Sequence, residues 1–110
     1  MSHSAFVIAA ALALGACAAP GAAELAASAT AHGHHVAKRA CAACHAVEPG
    51  GESPRAAAPA FTSLEMRHTA GLEGRVADLT RLGHYDMPPV RLRPEDVRAL
   101  TAYIESLSGR

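Results

Sequence analysis

The stretch "RACAACHAV", Arg39 to Val47, sets two thiols and an imidazole at close spacing: Cys41, Cys44 and, directly after, His45. Three chemistries fit such a trio: a metal site, a redox disulfide, or covalent attachment of haem. A structural zinc ion takes four ligands, usually a second C-x-x-C or a histidine pair at short spacing. Beyond His45 the only histidines are His68 and His84, sixteen residues apart, and no further cysteine follows. A thioredoxin-like dithiol needs a βαβ setting, and no strand pattern occurs in the chain. The haem reading uses all three residues: two thiols one helical turn apart add to the two vinyl groups, and the next residue turns its imidazole to the iron. C-x-x-C-H is the pattern of c-type haem attachment. The expected cofactor is one haem c, bound through Cys41 and Cys44, with His45 on one axial face.

The other axial face has four candidates: Met66, Met87, His68 and His84. Met87 stands before two prolines, in a loop between two expected helices, and a stiff loop presents a weak thioether ligand well. Met66 and His68 lie on a helical stretch, where a gap-filling core methionine and a solvent-facing histidine are the plain readings. His84, three residues before Met87, reaches toward the same face and would give bis-His ligation. Its plain reading is a surface group or a neighbour of the true ligand.

These residues need a frame. Helical signal runs from about His32 to Ala46, and "EPGGESPRAAAPA", residues 48–60, is a loop punctuated by Pro and Gly. A short helix over Thr62–His68 is weaker. Leu72, Val76, Leu79 and Leu82 recur at spacings of three and four, as one face of a helix that Gly83 would end. "HYDMPPVRL" cannot be helical across Pro88 and Pro89, so Met87 is extended. In the last segment Pro94 suits the first turn, and Glu95 and Asp96 suit the positive end of the helix dipole. Val97, Leu100, Ile104 and Leu107 form its stripe, with Tyr103 beside it. The expected class is all-α.

The N-terminal third differs from the rest. Ala5–Leu14 is an apolar run of about ten residues, the length of a signal h-region and too short to span a bilayer. "LGAC", Leu14–Cys17, reads as the site at which a bacterial lipoprotein is cut and lipidated, and lipid on Cys17 accounts for a cysteine with no partner. Ordinary signal cleavage nearby is the rival. The chain is thus expected outside the cytoplasm, in the periplasm, with residues 1–16 a signal peptide, 17–30 a flexible tether and 31–110 the folded domain. Ten basic and ten acidic residues cancel, which gives no patch for nucleic acid. Four aromatics and no Trp make a thin core for so small a domain, and a large apolar cofactor would fill it.

With these residues in place, the chain resembles the small class I bacterial c-type cytochromes over about residues 31–108. That family has a glycine eight residues before the first haem cysteine, where the first and last helices cross, and Gly33 stands there; Tyr103 matches the aromatic residue that the last helix brings to the crossing. Pro59 in "APAF" matches a proline whose carbonyl holds the axial histidine, and "GHYDMPP" is similar to the family's methionine loop. The resemblance implies three to four helices around one covalent haem with His45/Met87 ligation. It implies a monomeric one-electron carrier, not an enzyme, working between a redox protein donor and acceptor. A dedicated cytochrome subunit of a dehydrogenase complex is the alternative. A haem sensor or peroxidase with a labile Met87 is a third. Three positions depart from the family. Ala37 replaces a usual aromatic, which predicts a looser crossing. Arg93 replaces the usual Ser or Thr cap of the last helix. Lys38 is the only lysine, so the family's lysine-rich docking face is missing, with nine arginines as the available substitute.

Overall fold

The computed structural model describes residues 18–67 and 70–109. The expected signal segment, Cys17 and His68 lie outside the described residues. Four helices follow in order: α1 (Ala22–Ala40), α2 (Leu64–Arg67), α3 (Leu72–Leu82) and α4 (Pro94–Ser106), with a 3-10 turn over Leu107–Gly109. Among the described residues there is no strand, and the class is all-α, consistent with a cytochrome c-like fold.

α1 is longer at its start than its pattern suggests. Residues 22–30, expected as part of a flexible tether, form its first turns. Alanine has the highest intrinsic helix propensity, and Glu24 in the first turn accepts the Gly21 backbone N–H at 2.9 Å. Residues 22–28 are all exposed, so these turns are held by propensity, capping and continuity with a packed helix rather than by burial. At the other end α1 stops at Ala40 rather than Ala46.

The buried half of α1 crosses α4. A Cβ at Gly33 would lie 1.9 Å from the Ala99 carbonyl oxygen and 2.8 Å from the Tyr103 Cβ. Only glycine admits that approach. The crossing is therefore close despite Ala37, which is itself fully buried, and the His34 ring packs on Tyr103 with centroids 4.9 Å apart. Val36 from α1, Leu100, Ile104 and Leu107 from the α4 region, and Phe61 and Val76 share one core. Tyr103 joins it and donates its hydroxyl to the Val47 carbonyl at 2.7 Å. Tyr103→Phe leaves that buried carbonyl unpaired. It should cost roughly 1–3 kcal/mol, read as a thermal midpoint several degrees lower; an unchanged midpoint would show the bond to be replaceable by water.

Leu82, expected on the inward stripe of α3, is 62% exposed. The buried line of α3 runs through Leu72, Val76 and Thr80, four residues apart, and Leu82 falls off it. Thr80 is tolerated there because its hydroxyl donates to the Val76 carbonyl at 2.8 Å.

At the start of α4, Arg93 caps no helix N–H with its side chain. The buried Asp96 carboxylate accepts instead from Arg93 Nε at 3.0 Å and from His32 Nε2 of α1 at 2.8 Å. The Arg93 guanidinium, opposed by burial and helped by His32, holds the Asp96 carboxyl well below the usual carboxylate range. A depressed carboxyl contributes stability above its unfolded pKa and loses it as pH falls. The stability gap between the native chain and Asp96→Asn should therefore narrow as pH drops below about 4. Thermal melts from pH 7 down to pH 2 measure it, and a gap constant with pH would remove Asp96 as the source.

Candidate haem site

The chain turns once more after α1. The N–H groups of Cys44 and His45 both donate to the Cys41 carbonyl, at 3.1 and 2.9 Å. That single turn sets the two half-buried cysteines one above the other and delivers His45 at its end. Burial, and then the neighbouring Cys44, push the Cys41 thiol up from 9.0 to about 11. This environment suits a neutral thiol or thioether and disfavours a metal-binding thiolate.

The Pro/Gly-rich loop closes back on the turn. Arg55 N–H donates to the Cys44 carbonyl at 3.1 Å, Phe61 N–H to the Ala46 carbonyl at 2.9 Å, and Ala46 N–H to Ser53 Oγ at 3.0 Å. The fold also brings Pro59 to His45: its carbonyl lies 2.7 Å from His45 Nδ1. A carbonyl only accepts, so Nδ1 carries the proton and the Nε2 lone pair is left for a ligand. The buried Phe61 ring packs against the imidazole at 5.6 Å, tilted by 52°. His45 is thus fixed from two sides. Nothing in the sequence pattern singled out Ser53 or Arg55, because loop hydrogen bonds follow no period. Phe61, in the same "APAF" as Pro59 and the only aromatic near the loop, was the available signal.

Met87 sits in a tight reversal. His84 and Met87 exchange both backbone hydrogen bonds, at 3.0 and 2.8 Å, around a turn made by Tyr85 and Asp86. Gly83 ends α3 at φ 76°, and a Cβ there would meet the Met87 carbonyl oxygen at 2.7 Å and Pro89 Cδ at 3.1 Å. Val90 N–H then ties the segment to the Thr80 carbonyl at 2.7 Å. The loop is clamped on both sides of Met87. Met66 is half-buried against the core, as a gap-filler would be.

A covalent haem fits this donor set: two half-buried thiols one turn apart and an imidazole with a fixed tautomer. Ser63 Oγ, two residues past Phe61, is buried without a hydrogen-bond partner. Such an orphan is costly unless a group other than the protein supplies the bond. The model for the family described as cytochrome C oxidase, cbb3-type, subunit III matches residues 28–104, more than half of the chain. The chain belongs to this family of c-type cytochromes. No curated protein and no solved structure matches it. The cytochrome is accordingly a haem-based electron-transfer domain, a carrier rather than an enzyme, with Cys41 and Cys44 at the spacing of C-x-x-C-H and haem c as the cofactor the family implies.

Proposed function

We propose that this cytochrome carries single electrons between redox proteins outside the cytoplasm. Its haem c would be held by thioethers from Cys41 and Cys44, with His45 and Met87 as the axial pair. The observation that carries the reading is the His45 Nδ1–Pro59 bond of 2.7 Å, which leaves Nε2 as the one nitrogen able to ligate. When bound, haem supplies an iron that takes up and releases one electron. The chain's part is to fix the ligands. Pro59 and Phe61 orient His45, while Gly83, the His84–Met87 pairing and the Val90–Thr80 bond restrain Met87. A Met/His pair raises the potential relative to bis-His.

Periplasmic residence and lipid on Cys17 belong to the same reading, supported by the Ala5–Leu14 run and "LGAC". The multiple acyl chains of a lipoprotein would hold the domain at a membrane surface where one chain would not. Reduced-minus-oxidised spectra of the native protein with a potentiometric titration test the ligation. A high-spin oxidised spectrum would reject it. Mass spectrometry of the mature N-terminus tests the anchor, and an unmodified terminus beyond Cys17 would reject that part alone.

The family description favours a second reading, a dedicated c-type subunit of a larger redox complex. The sequence suggested a dehydrogenase as that complex; the family's own description names an oxidase. Co-purification of a large redox subunit with the native cytochrome would favour this reading over a free monomeric shuttle.

A further inference from the structure

His45 and Met87 are held by two different loops. Residues 48–60 close back on the attachment turn and fix His45, while residues 83–90 carry Met87. Each loop is tied within itself or to a neighbouring helix. Among the described residues, one ion pair joins the first loop to the second: Arg55 Nη1 lies 3.8 Å from Asp86 Oδ2. Neither side chain has another charged partner among the described residues.

Both ends of that pair are set by the backbone. Arg55 N–H donates to the Cys44 carbonyl at 3.1 Å, and its own carbonyl accepts from Ala58 N–H at 2.9 Å. The root of the guanidinium is therefore fixed on the attachment turn, beside His45. Asp86 is the last residue inside the reversal that His84 and Met87 close with bonds of 3.0 and 2.8 Å. Tyr85, just before it, is the one described non-glycine residue with positive φ, 47°. That left-handed step is unfavourable for tyrosine, and a ring 96% exposed regains nothing by burial. Strain of this kind persists where the surroundings over-determine it. Its outcome here is the course of the chain into Asp86, whose carboxylate faces the other loop.

We propose that Arg55 and Asp86 form a latch that holds the methionine loop shut. They are positioning residues that act through Met87, and the proposal rests on Met87 as an axial ligand. The loop cannot swing away from the attachment turn without separating the two charges. Arg55 and Asp86 are 54% and 85% exposed in their side chains. Their attraction is therefore modest and screened by salt. A modest attraction suffices for this role, because a weak thioether ligand is the one most easily lost when its loop opens. The latch thus sets how often the iron becomes open to small ligands, rather than whether the chain folds.

The experiment measures the rate at which cyanide binds the oxidised holoprotein, a reaction that must displace Met87. Arg55→Gln and Asp86→Asn should each raise that rate about two- to fivefold. Both together should raise it no further than either alone, because they remove one shared interaction. Arg55→Asp combined with Asp86→Arg should bring the slow rate back. From about 0.01 M to 1 M salt the Debye length falls from about 30 to about 3 Å. Over that range the native rate should climb to that of the single variants, while theirs stay flat. A second readout needs no added ligand: hydrogen exchange of the Met87 amide, bonded to the His84 carbonyl, measured in the reduced protein. It should quicken by a similar factor in both single variants. Native rates and native exchange in both variants would overturn the latch, as would an effect of Arg55→Gln that Asp86→Asn does not share. Amide exchange that quickens while cyanide binding stays native would instead place the failure in the ligation, since the loop would then open without freeing the iron.

Discussion

Met87→Ala is expected to lower the reduction potential and to remove the weak red band that thioether–iron ligation gives the oxidised protein. The thioether is the ligand that raises the potential, and axial ligands move haem potentials over roughly 0.8 V. The fall should be a readable part of that range. Among the described residues, His84 is the nearest claimant in the chain to the vacated position. His84 is paired through its backbone with residue 87 at 2.8 and 3.0 Å and is exposed, so its ring has room to move. If His84 enters, Met87→Ala stays low-spin with a lower potential, and only Met87→Ala combined with His84→Ala becomes high-spin. Carbon monoxide binding to the reduced proteins separates the cases. The native protein should be inert, and the double variant should bind rapidly. Rapid binding by the native protein would instead favour the sensor reading with a labile Met87. A potential and spectrum unchanged by Met87→Ala would remove Met87 from the iron.

Gly33→Ala is expected to be the most damaging small substitution in the fold. Alanine gains up to about 1 kcal/mol over glycine from helix propensity alone, so an open site would be stabilised. Here the new methyl would sit 1.9 Å from a backbone oxygen of α4, and a backbone atom cannot rotate away as a flexible side chain does. Either α1 and α4 move apart or the chain strains. Overpacked cores lose about 1–3 kcal/mol, and a backbone overlap belongs at the top of that range or above it. A loss of about 3 kcal/mol would lower the midpoint of a domain this size by more than about 10 °C. The crossing lies next to the Tyr103–Val47 bond, two residues beyond His45, so the yield of haem-bearing protein should fall as well. Thermal unfolding with mass spectrometry of the attached group measures both. A Gly33→Ala protein as stable as the native one would mean that the crossing can open freely.

Much of this frame was legible because it follows rules of period and chain reversal. The stripe of α4 and the ends of α3 at Leu72 and Gly83 come from apolar spacing and glycine. Met87 is extended because two prolines follow it. Family resemblance reached further, to Gly33, Pro59 and Tyr103, which the structure sets in the helix crossing and beside His45. What stayed hidden depends on three-dimensional company. Leu82 fits the helical period and yet faces outward, because the line actually buried runs through Thr80, a polar residue made acceptable by one hydrogen bond. Asp96 read only as an acid suited to the helix dipole, and it is in addition buried between His32 and Arg93. No local pattern could show that pairing, since His32 lies 64 residues away. The start of α1 was missed for a different reason. Turns without an apolar face carry no periodic signal, and alanine propensity alone looked too weak to count.

That early start alters how an anchored molecule would work. If lipid sits on Cys17, residues 18–21 alone separate it from the helix, and four residues reach at most about 14 Å. From Ala22 to the crossing at Gly33 the chain is a rod of roughly 16 Å. The haem domain would then ride on a short mast, pivoting on four residues and kept close to the membrane. So anchored, it would not diffuse freely in search of partners. It would meet them by drifting sideways in the bilayer, and the partners within reach would be those that work close to the same membrane surface.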